Sequence, residues 1–362
     1  MAKSKAKELS GIELIQSKLV SDKTKLVCDL SNIPIASYSK LDLYKQCPLR
    51  YYYKYEQDKR SNDTSLALEL GSICHKVLEL KGIELKNNKT ITNDTYDYLK
   101  DILHNGYKDE SENLIGVEQL KKKYFENWFG IFSIPSYTDK IKLFEDTTLK
   151  NSMSDDNWKV LECEMYFEFV YDNRIKIQGY IDRVDINDKG EYRVVDYKTS
   201  KKVYDNSKLT TSWQFGIYAM AILNKFGTLP KEYIYNFILL NETQYALTKG
   251  WEKRLVKQLD GILDKIDNDK KANEFIPNPT PLCHWCDFCK HNPLATTYRT
   301  QCEYHSLWQP DNKTFSVNKH YCKGVSRDNI INKIKENTND DNTNNNNSTN
   351  NDIIKKIRKL NF

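Results

Sequence analysis

Two acids and an amine occupy positions suited to chemistry: Asp182 in Gly179-Tyr180-Ile181-Asp182-Arg183-Val184-Asp185, and Asp196 with Lys198 in Val194-Val195-Asp196-Tyr197-Lys198-Thr199. Strand side chains alternate faces, so Asp196 and Lys198 share one surface while Val195 and Tyr197 point to the other. Asn187-Asp188-Lys189-Gly190 has the composition of a turn, and pairing of the two runs across it brings Asp182 close to Asp196. Two carboxylates in one place are costly unless a cation neutralises them, which points to Mg2+ or Mn2+. The chemistry this predicts is metal-assisted hydrolysis of a phosphodiester, with Lys198 orienting the attacking water or helping to deprotonate it. A second set, Cys283-His284-Trp285-Cys286-Asp287-Phe288-Cys289, holds three thiols at two-residue spacing, a chelate that no packing requirement explains.

The elements that must position these groups follow from hydrophobic period. Helical spacing is predicted over 11–20, from about 39 into the aromatic-basic run Arg50-Tyr51-Tyr52-Tyr53-Lys54-Tyr55, and over 66–80 through Leu66, Leu70, Ile73, Val77 and Leu80. A loop covers 58–65, and His75 sits beside the apolar stripe of the third helix. Residues 85–157 read as a polar, mostly helical insertion. Alternation then predicts strands over 158–171, 174–186 and 191–199, a helix over 213–226, a buried strand over 233–240 and an amphipathic helix over 251–266.

The chain has 362 residues, 39% of them hydrophobic, enough for a sizeable core. No run approaches the roughly 18 apolar residues of a spanning helix, and the start lacks a secretory apolar region. No membrane association is expected, and the expected location is cytoplasmic, in the host cell if the gene is viral. A net charge of +5 from 55 basic and 50 acidic residues permits binding to a polyanion without demanding it. Nine cysteines in a long intracellular chain are expected to stay reduced. Residues 1–35 form an N-terminal extension, and the Asn-rich composition of 324–362 predicts a disordered tail. Apolar groups at Ile353, Ile357 and Leu360 leave that tail open as a docking or DNA-touching segment.

Asp182 with Asp196-Tyr197-Lys198 resembles the PD-(D/E)xK nuclease core, in the form seen in its RecB/AddB-like exonuclease branch. Three more segments are similar to that branch. Ser37-Tyr38-Ser39-Lys40-Leu41, with Tyr44 and Cys47-Pro48, resembles its amino-terminal Cys-Pro helix. Leu70-Gly71-Ser72-Ile73-Cys74-His75-Lys76-Val77-Leu78-Glu79 resembles the helix whose histidine helps bind metal, and Gln214-Phe215-Gly216-Ile217-Tyr218 its Gln-x-x-x-Tyr helix. The resemblance implies a restriction-endonuclease-like α/β fold over 36–323, a mixed and mainly antiparallel sheet flanked by helices. It implies that His75, Asp182 and Asp196 bind Mg2+ or Mn2+, that Asp182, Asp196 and Lys198 are catalytic, and that Gln214 and Tyr218 touch substrate or position the site. Glu164 falls where the family often has an acid one strand earlier, either in the metal's shell or on the strand surface. In iron–sulfur members one early Cys-Pro cysteine joins three late cysteines around a [4Fe–4S] cluster, and Cys47 with Cys283, Cys286 and Cys289 supplies that count. The family commonly has five residues between the second and third late cysteines, and this chain has two. Cys302 is therefore an alternative ligand within the cysteine-rich segment 280–323, and Zn2+ an alternative metal with Cys302, His305, His320 and Cys322 nearby. Cys28, Cys74 and Cys163 read as small buried hydrophobes.

The function so implied is a metal-dependent DNA exonuclease of recombination, repair or replication. Its rival is a non-catalytic DNA-end-binding or scaffold subunit, since fold alone does not separate the two. No Gly-x-x-x-x-Gly-Lys-Ser/Thr phosphate loop appears, so unwinding is expected from a helicase, recombinase or single-strand-binding partner.

Overall fold

Apolar and polar side chains alternate through residues 159–198, and in the computed structural model of the protein this stretch forms three antiparallel strands. The structure describes residues 10–20, 32–60, 65–88, 90–109, 111–125, 134–150, 157–246, 250–278, 280–289, 292, 297–298 and 301–302. Cys28, His305, His320, Cys322 and the tail expected over 324–362 lie outside the described residues. The chain divides into two compact units, Met1–Lys45 with Thr64–Glu274, and Gln46–Asp63 with Phe275–Phe362.

The first unit is built on a six-stranded sheet. Its strands are β1 (Ile35–Ala36), β2 (Lys159–Tyr171), β3 (Ile175–Ile186), β4 (Tyr192–Lys198), β5 (Glu232–Phe237) and β6 (Glu242–Tyr245). β2 and β4 pair antiparallel with β3, β1 pairs parallel with β3, β4 pairs parallel with β5, and β6 closes antiparallel on β5. This is the mixed, mainly antiparallel sheet the resemblance implies. The turn Asn187–Gly190 closes as expected, with the Gly190 N–H on the Asn187 carbonyl at 3.0 Å. Beside it Asp185, wholly buried, accepts from Arg183 at 2.6 Å and Arg193 at 2.8 Å, an ion network that pins β3 to β4.

Helices α1 (Gly11–Lys18), α2 (Tyr38–Gln46), α3 (Leu66–Asn88), α4 (Asn93–Asn105), α5 (Ile134–Phe144), α6 (Trp213–Phe226) and α7 (Trp251–Ala272) surround the sheet. Val195 and Tyr197 join a core with Ile73 and Val77 of α3, whereas the intervening Asp196 meets α6, so the two helices cover opposite faces. Ser212 starts α6 by accepting from the Phe215 N–H, and its hydroxyl also bonds Tyr235 Oη at 2.6 Å. Gly227, at φ +75°, ends the helix in the left-handed conformation that glycine adopts without strain. Two differences from the sequence expectation have local causes. α3 runs past Leu80 to Asn88 because Lys81 is buried, donating to the Thr148 carbonyl, with burial pushing its pKa down to about 7. The strand expected over 233–240 stops at Phe237, where a turn with Asn241 at φ +53° leads into β6.

α3 also approaches β2 closely at Gly82, where an added Cβ would lie 2.2 Å from Cys163 Sγ. Gly82→Ala is expected to destabilise the chain by about 1–3 kcal/mol through overpacking, despite alanine's better helix propensity. In a Cys163→Ala background the same change should be neutral or stabilising. Urea unfolding of the four chains checks this, and an equal loss in both backgrounds would reject the contact as the cause.

Candidate active site

β3 pairs with three strands. Beyond β2, it pairs with β1 at Lys176 and Ile177 and with β4 from Arg183 onward, leaving 178–182 between those pairings. Asp182 sits at the mouth of this gap, where its Oδ2 accepts the Tyr197 N–H at 2.7 Å. Strand divergence thus opens the space into which Asp182 and Asp196 turn.

Glu164 arrives there by backbone distortion. Its φ of +45° interrupts the alternation of β2, so that Cys163 packs toward Gly82 of α3 while Phe167 meets Tyr218 of α6, 5.9 Å between ring centres. His75 reaches the same place from α3, with Nδ1 3.6 Å from Asp182 Oδ2. One ligand atom each from His75, Glu164 and Asp182 lie within 4.8 Å of one another. The donor set, two carboxylates and an imidazole, fits a divalent cation such as Mn2+ or Mg2+.

Asp196 stands beside this trio and outside it, because its carboxylate is held elsewhere. Gln214 Nε2 donates to Asp196 Oδ1 at 2.8 Å, the Tyr218 hydroxyl donates to the same oxygen at 3.4 Å, and Lys198 forms an ion pair with Oδ2. That buried Oδ2 has no hydrogen-bond donor among the described residues, the ammonium lying against it outside hydrogen-bonding geometry. Gln214 also donates to the Tyr218 hydroxyl at 3.0 Å, and Lys198 Nζ donates to Gln214 Oε1 at 3.4 Å. Both side chains expected to touch substrate therefore make their contacts here with Asp196 and Lys198, and Tyr218 is buried.

The electrostatics match this crowding. Burial and then the Asp196 charge push the Asp182 carboxyl well above its ordinary range, and burial and then Glu79 push Glu164 up. Burial pulls His75 down, favouring the neutral imidazole that a metal needs. Burial, the largest influence on Lys198, opposes its charge, but Asp196 together with Tyr204 and Asp182 moves it up on balance. Three contributors were not singled out in the sequence. Glu79, one turn after His75, is ion-paired to Lys76 at 2.8 Å; Tyr235 lies under Lys198 Nζ, 5.4 Å from its ring centre; and Tyr38 is half-buried near Asp42 and Asp196. Glu79 and Tyr38 lie inside segments that resemble the family's helices, and helical spacing from His75 could have marked Glu79, whereas Tyr235 comes from a distant strand with no such signal.

The cysteines form a separate feature within the second unit. Cys47, Cys283, Cys286, Cys289 and Cys302 line one cavity with Leu49, Tyr53 and Phe288. The Asn278 N–H points at Cys47 Sγ, 3.5 Å away, and the Thr280 N–H at Cys283 Sγ, 3.4 Å away. Burial pushes the Cys286 thiol up to about 12 and raises Cys283 as well. Among the described residues no three thiols bring their sulfurs within 4.8 Å of one another. Closed zinc sites need sulfur separations of about 3.8 Å, given Zn–S bonds of about 2.3 Å. A four-iron cluster, whose thiolates bond separate iron atoms, takes them further apart. Of the cysteines expected to be buried, Cys74 is buried and Cys163 half-buried.

The family model for the PD-(D/E)XK nuclease superfamily matches residues 35–291. One subunit of the ATP-dependent helicase/deoxyribonuclease of Clostridium perfringens is 27% identical over 224 residues, 55% of this chain and 18% of the relative. The protein of the same name from Streptococcus agalactiae is 26% identical over 242 residues, 63% of this chain and 20% of the relative. The chain thus spans about a fifth of the length of the curated relatives it matches. Among the described residues no helix is long and apolar enough to cross a membrane.

An acid whose folded pKa lies above its unfolded value, 3.8 for Asp182, stabilises the fold only while protonated, and that contribution is lost as pH rises through the folded value. Asp182→Asn is therefore expected to raise stability at pH 7 in chelator, by on the order of 1 kcal/mol, and to give little gain near pH 4. Thermal melts at the two pH values check this; a loss of stability at pH 7 would show that the carboxylate is not under strain.

Proposed function

The chain belongs to the PD-(D/E)XK nuclease superfamily, and from that premise we propose that it is a metal-dependent deoxyribonuclease, an exonuclease of RecB/AddB type, acting in recombination, repair or replication. The observation that carries this reading is the meeting of His75, Glu164 and Asp182 beside the Asp196–Lys198 pair where β3 and β4 part. His75, Glu164, Asp182 and Asp196 would hold the divalent ion. When bound, the ion supplies Lewis acidity toward a phosphate oxygen and lowers the pKa of a water.

The chain's own residues account for the rest. Lys198 stays protonated beside Asp196, so it donates: it orients the attacking water and offsets charge gathering on the phosphate oxygens. Gln214 and Tyr218 are positioning residues that fix Asp196 and, through Gln214 Oε1, the Lys198 ammonium. Asp182, locked by the Tyr197 N–H, keeps one carboxylate oxygen aimed at a fixed point. The sequence contains no nucleotide-binding phosphate loop, so a partner helicase is assigned the unwinding that the relatives' names attach to ATP. Cys47, Cys283, Cys286 and Cys289 are assigned to a [4Fe–4S] cluster on the strength of their shared cavity and the N–H groups directed at two sulfurs.

End-labelled single- and double-stranded DNA should be cut by anaerobically purified protein with Mn2+ or Mg2+ and not with chelator. Asp196→Ala and Lys198→Ala should each reduce the rate by about 100-fold or more with melting behaviour retained. Wild-type rates in either variant would sink the assignment, and DNA binding without cleavage would move it to a scaffold. The same preparation should be brown and absorb near 400 nm, and Cys286→Ser should lose that band. Colourless protein loaded with zinc would reject the cluster.

A further inference from the structure

Tyr166 on β2 and Tyr180 on β3 stand together at the edge of the acidic site, 43% and 58% exposed. They are register partners, with ring centres 5.4 Å apart and planes tilted by 58°. Tyr180 precedes Asp182 by two residues on β3, so its ring shares the face from which that carboxylate projects, and Tyr166, its register partner, shares the same face. Ile181, between Tyr180 and Asp182, is fully buried, as is its register partner Met165. Two residues along a strand span about 7 Å. Tyr180 also lies in the segment of β3 between its pairings with β1 and β4.

The surroundings hold the pair in place. The Tyr166 hydroxyl donates to Glu168 at 2.8 Å, with Gln178 Oε1 a second acceptor 3.4 Å away, and Lys176 Nζ is 3.9 Å from Glu168. The polar tip of Tyr166 is thus tied to the hairpin, and its ring is oriented in advance. Cross-strand pairing explains why the rings touch. It does not explain flat apolar groups left to water one step from the reacting centre.

We propose that Tyr166 and Tyr180 form a stacking platform for the bases of single-stranded DNA, holding the strand whose phosphate enters the acidic site. The inference rests on the nuclease reading above and adds a substrate preference to it. Bases in a duplex have both faces occupied by their neighbours, so only an unpaired strand offers a face to these rings. Stacking accepts every base, which suits an enzyme that processes a strand without reading its sequence.

The test uses the full chain in chelator and fluorescence anisotropy of labelled oligothymidine, beside an abasic oligomer of equal length. Tyr166→Ala with Tyr180→Ala should weaken oligothymidine binding about fivefold to a hundredfold and leave the abasic oligomer unchanged, while the two Phe variants should bind as wild type. Photocrosslinking of a 5-iodouracil oligonucleotide to the wild-type chain needs no variant to fold, and its adducts should map to peptides holding Tyr166 or Tyr180. Equal losses on both oligomers, unchanged binding in the Ala variants, adducts confined elsewhere, or ring dependence shown by oligouridine RNA alone would each overturn the platform. The two readings separate cleanly. Asp196-dependent cleavage with no ring dependence leaves the nuclease and removes the platform; ring-dependent binding with no cleavage under any metal does the reverse.

Discussion

Glu164, Asp182 and Asp196 crowd into one partly buried space, and the rest of the first unit is arranged around that crowding. Like charges brought together away from solvent oppose folding unless something offsets each of them. Asp182 takes a backbone N–H, Asp196 takes Lys198 and the amide of Gln214, and Glu164 is left with the weaker help of nearby Lys76. The order of these supports follows burial. Asp196, nearly without exposure, has the closest cation, and Glu164, half-buried, has the least.

That demand explains why helices cover both faces. A strand presents successive side chains to opposite sides, so no single helix can serve the whole site. α3 brings His75 from one side, packed through Ile73 and Val77 on Val195 and Tyr197. α6 brings Gln214 and Tyr218 from the other, held by its Ser212 cap on Tyr235 of β5. The left-handed residue at Glu164 then turns a carboxylate of β2 toward the α3 side. Each face is an ordinary helix-on-sheet core, and the chemistry lies where the sheet opens between them.

Much of this was legible from residue order. The period-two runs marked β2, β3 and β4 with the turn between the last two, and Asp-x-Lys on one strand face was enough to set Asp196 beside Lys198. Parity also separates Asp182 from Asp185: three residues apart on a strand, they face opposite ways, and Asp185 is consumed by Arg183 and Arg193. What escaped had no pattern to betray it. β6, Glu242–Tyr245, is almost wholly exposed and lacks alternation, as does the small hairpin of Tyr107–Lys108 with Leu114–Ile115. Lys81-Gly82 looks like a polar end to α3, yet the lysine is buried because a carbonyl from 67 residues away receives it. The role of Glu164 depends on one φ angle, which no composition rule encodes.

The cysteines answer a different physical problem. The N–H···S contact from Asn278 to Cys47 joins positions 231 residues apart, so the second unit is assembled from segments that Thr64–Glu274 of the first unit separates in sequence. Its apolar contribution is small, centred on Leu49, Tyr53 and Phe288. A covalent tie through Cys47 and the late thiols would close a loop of that length and, on the chain-entropy treatment used for disulfides, disfavour the unfolded chain by about 5 kcal/mol. That is comparable with the whole net stability of many domains. A cross-link there works through the unfolded state and needs no redox change. The same thiols can therefore matter to every activity of the chain without taking part in the chemistry of the acidic site.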